Sequence, residues 1–386
     1  MNLLDRYGYS LNVVAMLLWP LSLLFSLVVR LRRLFYRWGV LRSVALPVPV
    51  IVVGNISVGG TGKTPLVVRL VELLRAAGYT PGVISRGYGG QSGQWPRVVT
   101  ADSDPLQVGD EPVLLAQRCR CPVVVGPDRV AAARLLLDRH PCNVLLSDDG
   151  LQHYRLQRDI EIAVVDGLRR FGNGACLPAG PLREPPARLR TVDFVVGNGA
   201  TRSGEYLMVL CGDRALNLAD PDISVALKSF QSGTVHAIAG IGDPWRFFDH
   251  VRRARVRILA HPLPDHHDFK ASDVRFLEDL PVLMTEKDAV KCRAFAPDNA
   301  WYVPVHAQLD ADFEQQLLKR VAVSAMGKGI MLNHWNTNRR RGAQLRAGGL
   351  PVNEVNDDGT ETAGYSGMPG QQGAADIRQG APGADL

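Results

Sequence analysis

Six consecutive residues, Gly59, Gly60, Thr61, Gly62, Lys63 and Thr64, carry the strongest chemical signal in this chain. They follow an apolar strand candidate at 49–53 and precede an amphipathic helix candidate at 65–77. A glycine-rich turn in that setting lets backbone N–H groups close around phosphate oxygens, and the helix N-terminus adds partial positive charge. Lys63 can then reach the outer phosphates of a nucleoside triphosphate, and the Thr64 hydroxyl can bind Mg²⁺. The loop is a variant: the usual pattern wants glycine six residues before the lysine, where this chain has Ser57, followed by Val58. Residues Ser57 to Thr64 are the expected ATP-binding loop.

A second cluster ends an apolar run at 143–147 with Asp148 and Asp149, before Gly150. In doubly wound sheets ligands bind at the carboxyl ends of strands, so one of these carboxylates is placed to hold Mg²⁺ directly or through water. Asp110 stands at a helix start, where capping alone would account for it. Far downstream lie Asp265, His266, His267 and Asp268; paired histidines beside carboxylates can bind metal, but no third ligand accompanies them at a sensible spacing. Phosphoryl transfer to a hydroxyl needs a proton acceptor, and a carboxylate oriented by a histidine would serve.

These residues need a frame, and the hydrophobic pattern supplies one. Short unbroken apolar runs at 48–53, 81–84, 122–125, 143–146, 160–165 and 192–196 read as strands covered on both faces. Helix candidates at 66–77, 111–118 and 129–139 alternate with them, which predicts a doubly wound parallel α/β sheet. A second, smaller α/β set has strands at 235–239, 256–260, 282–284 and 301–305, with helices near 245–253 and 272–279. The expected organisation is a P-loop lobe over 45–205 and a second lobe over 206–324, with the last helix free to return to the first lobe. The join falls within 198–222. Residues 325–386, rich in Gly, Asn, Gln and Asp, read as a disordered tail.

The N-terminal segment 1–44 reads as a membrane anchor. Residues 11–29 form a 19-residue, uncharged and mostly apolar stretch, long enough to span a hydrocarbon core of about 30 Å as a helix. Pro20, Ser22, Ser26 and Asn12 weaken a span, so an interfacial helix in one leaflet is the other reading. Arg30, Arg32, Arg33, Arg37 and Arg42 follow, which puts the bulk of the chain on the cytoplasmic side and suits anionic lipid headgroups. The net charge is +6, yet no nucleic-acid-binding signature accompanies it. The six cysteines are scattered, as expected of reduced thiols in a cytosolic compartment.

At this point a family resemblance enters. The runs 53–65, 85–89, 108–112, 148–153, 177–185, 239–244, 264–267 and 285–291 occur in family order across roughly residues 1–320. On them the chain resembles the tetraacyldisaccharide 4′-kinases, the lipid A 4′-kinases of Gram-negative bacteria. Ser57 is shared by that family. The resemblance implies a P-loop lobe and a smaller lobe with the site between them, at the cytoplasmic face of the inner membrane. It implies that Lys63 neutralises charge on the transferring phosphate, that Thr64 ligates Mg²⁺, and that Asp148 and Asp149 organise the metal. Asp110 is implied as general base, paired with the histidine of the Asp-His motif; His266 directly follows Asp265, and His267 fits the same motif. Arg86, Arg183 and Glu184 are implied to line the substrate cleft. The implied reaction is ATP-dependent phosphorylation of the 4′-hydroxyl of a tetraacylated glucosamine disaccharide 1-phosphate, giving lipid IVA. Its partners are that lipid and the membrane, with no nucleic acid and no obligate protein partner. The tail beyond 325 departs from the family and receives no catalytic role.

Three other classes fit less well. A membrane-associated switch ATPase with a deviant P-loop carries a second lysine before its paired glycines, where this chain has Val58. A guanine-reading box would need its lysine one place earlier than in Thr285-Glu286-Lys287-Asp288. A lipid-binding module has no need of the carboxylates.

Overall fold

The computed structural model describes residues 8–10 and 12–330. Helix α1 (Val13–Arg37) starts where the Asn12 side chain accepts the Ala15 N–H at 2.9 Å, a standard N-cap. Most of its apolar side chains are exposed, and it is long and apolar enough to cross a membrane by length and composition. Its other face lies along the protein. Ser22 Oγ donates to Cys176 O at 2.7 Å, Arg33 to Thr191 Oγ1 at 2.5 Å, and the Tyr36 ring lies tilted against Tyr154 at 5.8 Å between centroids.

Strand β1 (Val50–Gly54) is buried on both faces and leads through the glycine loop into α2 (Lys63–Ala76). The large sheet continues with β2 (Pro81–Ser85), β3 (Arg97–Val99), β4 (Val123–Val125), β5 (Val144–Asp148), β6 (Ile160–Asp166), β7 (Phe194–Asn198) and β8 (Tyr206–Cys211). Helices α3 (Asp110–Cys119) and α4 (Arg129–Arg139) are its crossovers. Its order is β15-β8-β7-β6-β1-β5-β2-β4-β3, parallel except at the two edge strands. The ninth strand, β15, is defined below.

Leu66, Leu70 and Leu74 of α2 are fully buried on one face, and Val130, Ala133 and Leu136 of α4 on the other. Each leucine contributes about 1.5–3 kcal/mol by burial. β1 lies between β5 and β6, with Val53 beside Asp148. That register sets the strand-end carboxylate level with the start of the glycine loop.

The second sheet, order β10-β9-β14-β13-β11-β12, comprises β9 (Arg214–Asn217), β10 (Ser224–Ala226), β11 (Thr234–Ala239), β12 (Arg257–Pro262), β13 (Val282–Thr285) and β14 (Ala300–Val303). Helix α5 (Pro244–Arg253) buries Phe247, Phe248 and Val251 against it, and α6 (Glu286–Cys292) follows β13. The chain then returns. β15 (His306–Leu309) pairs antiparallel with β8, and α7 (Ala311–Gly327) buries Phe313, Leu317 and Val321 in the core of the first lobe.

Three expectations change. The passage into the second lobe follows Cys211, inside the expected 198–222 join but past the 205/206 bound, because β8 extends the large sheet. The helix expected over 272–279 reduces to one turn, Ala271–Val274, whose only buried residue is Val274. The expected tail start at 325 falls inside α7; the remainder of that tail, residues 331–386, lies outside the described residues.

Candidate active site

The glycine loop leaves β1 and turns back at Gly62, whose φ of 93° is the left-handed region. A Cβ there would lie 2.6 Å from the Asn198 side chain, which donates to Thr61 O at 3.0 Å, so only glycine fits. Asn55 Nδ2 braces the loop from within by donating to Thr61 Oγ1 at 3.2 Å. On the outside, Val58 N donates to Pro181 O and Arg183 N to Ile56 O, so the 177–185 run is the loop's outer support.

Lys63 Nζ lies 3.5 Å from Asp149 Oδ1, and Arg183 Nη1 donates to Asp149 Oδ2 at 2.9 Å. Burial pushes the Asp149 carboxyl up, but Lys63 and Arg183 outweigh it and hold it down at about 2. Asp149 adopts φ 48°, left-handed and unusual for a non-glycine residue, as occurs where a functional site fixes the backbone. Its neighbour Asp148 is 1 % exposed, and both its carboxylate oxygens lack a hydrogen-bond partner. Burial, with Glu111 and Asp149 adding to it, raises Asp148 to about 7.

A buried carboxylate with two unsatisfied oxygens, near Lys63 at the end of the glycine loop, fits a hard divalent cation. Among the described residues no three His, Cys, Asp or Glu side chains converge on one metal position. That donor set suits Mg²⁺, which takes one or two protein carboxylates and completes its shell with phosphate and water oxygens.

Asp110 opens α3 after Gly109, where φ is 94° and a Cβ would stand 2.5 Å from Tyr88 O; the 85–89 turn and the 108–112 turn are thus locked together. Asp110 is 5 % exposed. Its Oδ1 accepts the Glu111 N–H at 2.8 Å, while Oδ2 lies 3.3 Å from His266 Nδ1, 3.2 Å from Lys291 Nζ and 3.8 Å from Lys287 Nζ. Burial would raise Asp110, but His266 and the two lysines hold its carboxyl well below the usual carboxylate range. His267 points elsewhere, with Nε2 3.0 Å from Asp273 Oδ2. Of the two adjacent histidines, the structure brings only His266 to Asp110.

The lobes meet around these groups. Arg118 donates to Glu286 at 2.7 Å, Lys287 to Glu111 at 3.1 Å, and Arg169 pairs with Asp243 at 2.8 Å. A Cβ on Gly242 would stand 3.3 Å from Gly60 N and 3.4 Å from Asp265 Oδ2. The phosphate loop and the His266 turn therefore share one cleft.

The chain's own residues correct one expectation, agree with setting the guanine-reading box aside, and add several. Glu184 does not line the cleft: it is 1 % exposed and accepts from Gln152 Nε2 at 2.8 Å and Tyr154 OH at 2.5 Å, with Arg188 Nε 3.4 Å away. Asp288 is no base reader, since it is fully buried and accepts from Gly240 N and Thr285 Oγ1. Arg86 is exposed just past the carboxyl end of β2 and acts on Arg129. Arg129 itself is new to the site. It is buried, donates to Asp149 O at 3.5 Å, and is pushed down to about 10 by burial and the like charge of Arg86. Lys287 and Lys291 are the other additions. Their signal was present, since two lysines at i and i+4 share one helix face.

The family model for LpxK, tetraacyldisaccharide-1-P 4'-kinase, matches residues 14–322. The chain belongs to the tetraacyldisaccharide 4'-kinase family. Tetraacyldisaccharide 4'-kinase of Nitrosococcus oceani is 54% identical over 327 residues, covering 85% of this chain and 96% of the relative. That of Pseudoalteromonas atlantica is 54% identical over 304 residues, covering 78% and 98%. The crystal structure of LpxK from Aquifex aeolicus in complex with ATP superposes with a TM-score of 0.69 at 29% identity, covering 80% of this chain and 99% of that one. The chain is thus a kinase of lipid A biosynthesis with an ATP-binding P-loop, and the switch-ATPase alternative is not favoured.

Proposed function

We propose that the chain transfers the γ-phosphate of ATP to the 4′-hydroxyl of a tetraacylated glucosamine disaccharide 1-phosphate, giving lipid IVA. One observation carries this reading: a phosphate loop ending in Lys63 and a proton-accepting pair, Asp110 and His266, face the same interlobe cleft. Lys63 is placed to set its charge against the transferring phosphate. Thr64 and Asp148, with Asp149 beside them, would hold Mg²⁺, which when bound neutralises charge on the β- and γ-phosphates. Asp149, clamped by Lys63 and Arg183, keeps the lysine aimed before nucleotide arrives. The acceptor's proton passes to the Asp110–His266 pair. Asp110 alone is a feeble base because Lys287 and Lys291 stabilise its charged form, so the pair acts as a unit. Arg86 and Arg183 remain as cleft residues toward the anionic substrates.

The acceptor is a lipid, and α1 is the natural attachment to its membrane. Its contacts with the catalytic lobe run from Ser22 to Tyr36, which favours a helix lying in one leaflet of the inner membrane over one that crosses it. The catalytic lobes then face the cytoplasm.

The test is direct. Purified protein is incubated with Mg-ATP and the tetraacylated disaccharide 1-phosphate, and the lipid product is analysed by mass and by NMR. A second phosphate on the 4′-oxygen of the non-reducing sugar is expected. ATP hydrolysis with no lipid phosphorylation would overturn the reading.

A further inference from the structure

Beside the C-terminal end of α1 lies an open pocket of about 320 Å³ that the phosphoryl-transfer site does not use. Its lining includes Arg33, Tyr36 and Arg37 from the helix, and Tyr154, Arg158 and Arg188 from the catalytic lobe. Three carboxylates also border it, and each is already matched. Asp159 pairs with Lys328 at 2.7 Å, Glu161 with Arg188 at 2.5 Å and Arg158 at 2.9 Å, and Asp193 with Arg320.

Two cations are left over. Arg33 is half-buried, and its one side-chain hydrogen bond goes to the neutral Thr191 hydroxyl; burial and the like-charged Arg188 act against its charge, while Glu184 and Glu161, both already paired with Arg188, favour it from beyond ion-pair distance. The Arg37 side chain has no polar partner among the described residues. No carboxylate of the described residues stands within ion-pair distance of either. Spaced i, i+4, the two guanidinium groups lie on one helix face, one turn apart. Arg37 is exposed and Arg33 half-buried at the pocket wall, and guanidinium forks match phosphate oxygens bidentately. The same helix exposes Leu24, Leu27 and Leu31 in the turns just before, on the side turned away from Arg33, so a helix lying with its leucines in the lipid carries the arginines on its lobe-facing side, toward the headgroups.

We propose that Arg33 and Arg37 form a binding site for a phosphate group carried by a lipid, seated in the pocket between α1 and the catalytic lobe. The phosphate belongs either to a bulk anionic phospholipid or to the acceptor's own 1-phosphate; the recognition chemistry is the same. Only the second source rests on the acceptor reading above.

The full-length protein is sedimented with vesicles of phosphatidylcholine alone and with phosphatidylglycerol added. A basic residue near an anionic surface contributes about fivefold in affinity. Arg37→Gln, an exposed change that leaves the fold alone, should lose about fivefold on anionic vesicles. Arg33→Gln with Arg37→Gln should lose on the order of tenfold or more, with neutral vesicles bound as before. Arg42→Gln, an exposed arginine outside the pocket, should lose under about twofold. The source is separated by kinetics in neutral detergent micelles free of phospholipid. A raised acceptor KM in the double variant assigns the site to the acceptor's phosphate; an unchanged KM with lost vesicle binding assigns it to bulk phospholipid. Wild-type vesicle binding together with an unchanged KM in the double variant overturns the proposal. So does an Arg42→Gln loss equal to that of Arg37→Gln, which would mean a diffuse basic surface and no site.

Discussion

His266 Nδ1 stands 3.3 Å from Asp110 Oδ2 although the two residues lie 156 positions apart and belong to different lobes. Asp110 opens a helix of the first lobe, and His266 occupies a left-handed turn of the second, at φ 57°. From the sequence, such a pair is expected to meet only when the lobes close. Here it is already assembled, held from the sides by Lys287 and Lys291.

If the pair works as a unit, Asp110→Ala and His266→Ala should each lower kcat by about 10²-fold or more while barely moving the KM for ATP. The double variant should lose little beyond the worse single, since residues acting together are non-additive. Steady-state kinetics of the three variants decides it. Losses that multiply, or a raised KM for ATP at unchanged kcat, would remove the pair from the chemistry.

Lys63→Ala should abolish phosphoryl transfer, by about 10²–10³-fold, because a point charge aimed at the transferring phosphate is lost. The fold should persist: Lys63 is the first residue of α2, and its ion-pair partner Asp149 keeps Arg183. A folded variant with near-normal turnover would sink the P-loop assignment.

How much of this was legible varies residue by residue, for physical reasons. The phosphate loop is legible because its chemistry is local: strand, glycines, lysine and helix follow one another in the chain. Glu184 misleads because neighbours in an extended segment point to opposite sides, so Arg183 reaches Asp149 while Glu184 turns inward to Tyr154. Lys287 and Lys291 stand in a run the family shares, yet their partner Asp110 comes from the other lobe, and no local pattern encodes that pairing. Strand β8 escapes notice because it pairs near the sheet edge and mixes exposed with buried positions, without the unbroken apolar run of β1 or β5.

Asp148→Ala and Asp149→Ala should both slow turnover, but differently. Asp148 has two buried oxygens without partners, so its loss should raise the Mg²⁺ concentration needed for half-maximal rate, and added Mg²⁺ should recover part of the activity. Asp149 also restrains Lys63 and Arg183, so its loss should be rescued less. Magnesium titrations of initial rate separate the two. Wild-type activity and metal dependence in both variants would make the carboxylates structural.

Deleting residues 1–29 should release much of the protein from membranes and depress activity on vesicle-embedded acceptor more than on detergent-solubilised acceptor. Residual binding should be salt-sensitive, because Arg30, Arg33 and Arg37 remain. Membrane flotation at low and high salt reads this out. A truncated protein that floats as fully as the intact chain would place the attachment elsewhere.

The last prediction concerns acid. Burial alone would raise the Asp110 carboxyl, yet His266, Lys287 and Lys291 hold it below the ordinary carboxylate range. A group whose folded pKa lies below its unfolded value of about 3.9 adds stability at higher pH and loses it as pH falls through the folded value. Ionised Asp110 should therefore stabilise the protein fully above about pH 5, with the contribution fading progressively as the pH falls below about 4. Asp110→Asn removes that titration and leaves two lysines facing a neutral amide, at a cost of about 3 kcal/mol near neutral pH. Urea midpoints measured down the pH scale should show the wild type falling more steeply than Asp110→Asn in the acid range, so that the two curves converge. Parallel curves across that range would mean that Asp110 carries no such stabilisation, and that Lys287 is neutralised by Glu111 and Asp265 instead.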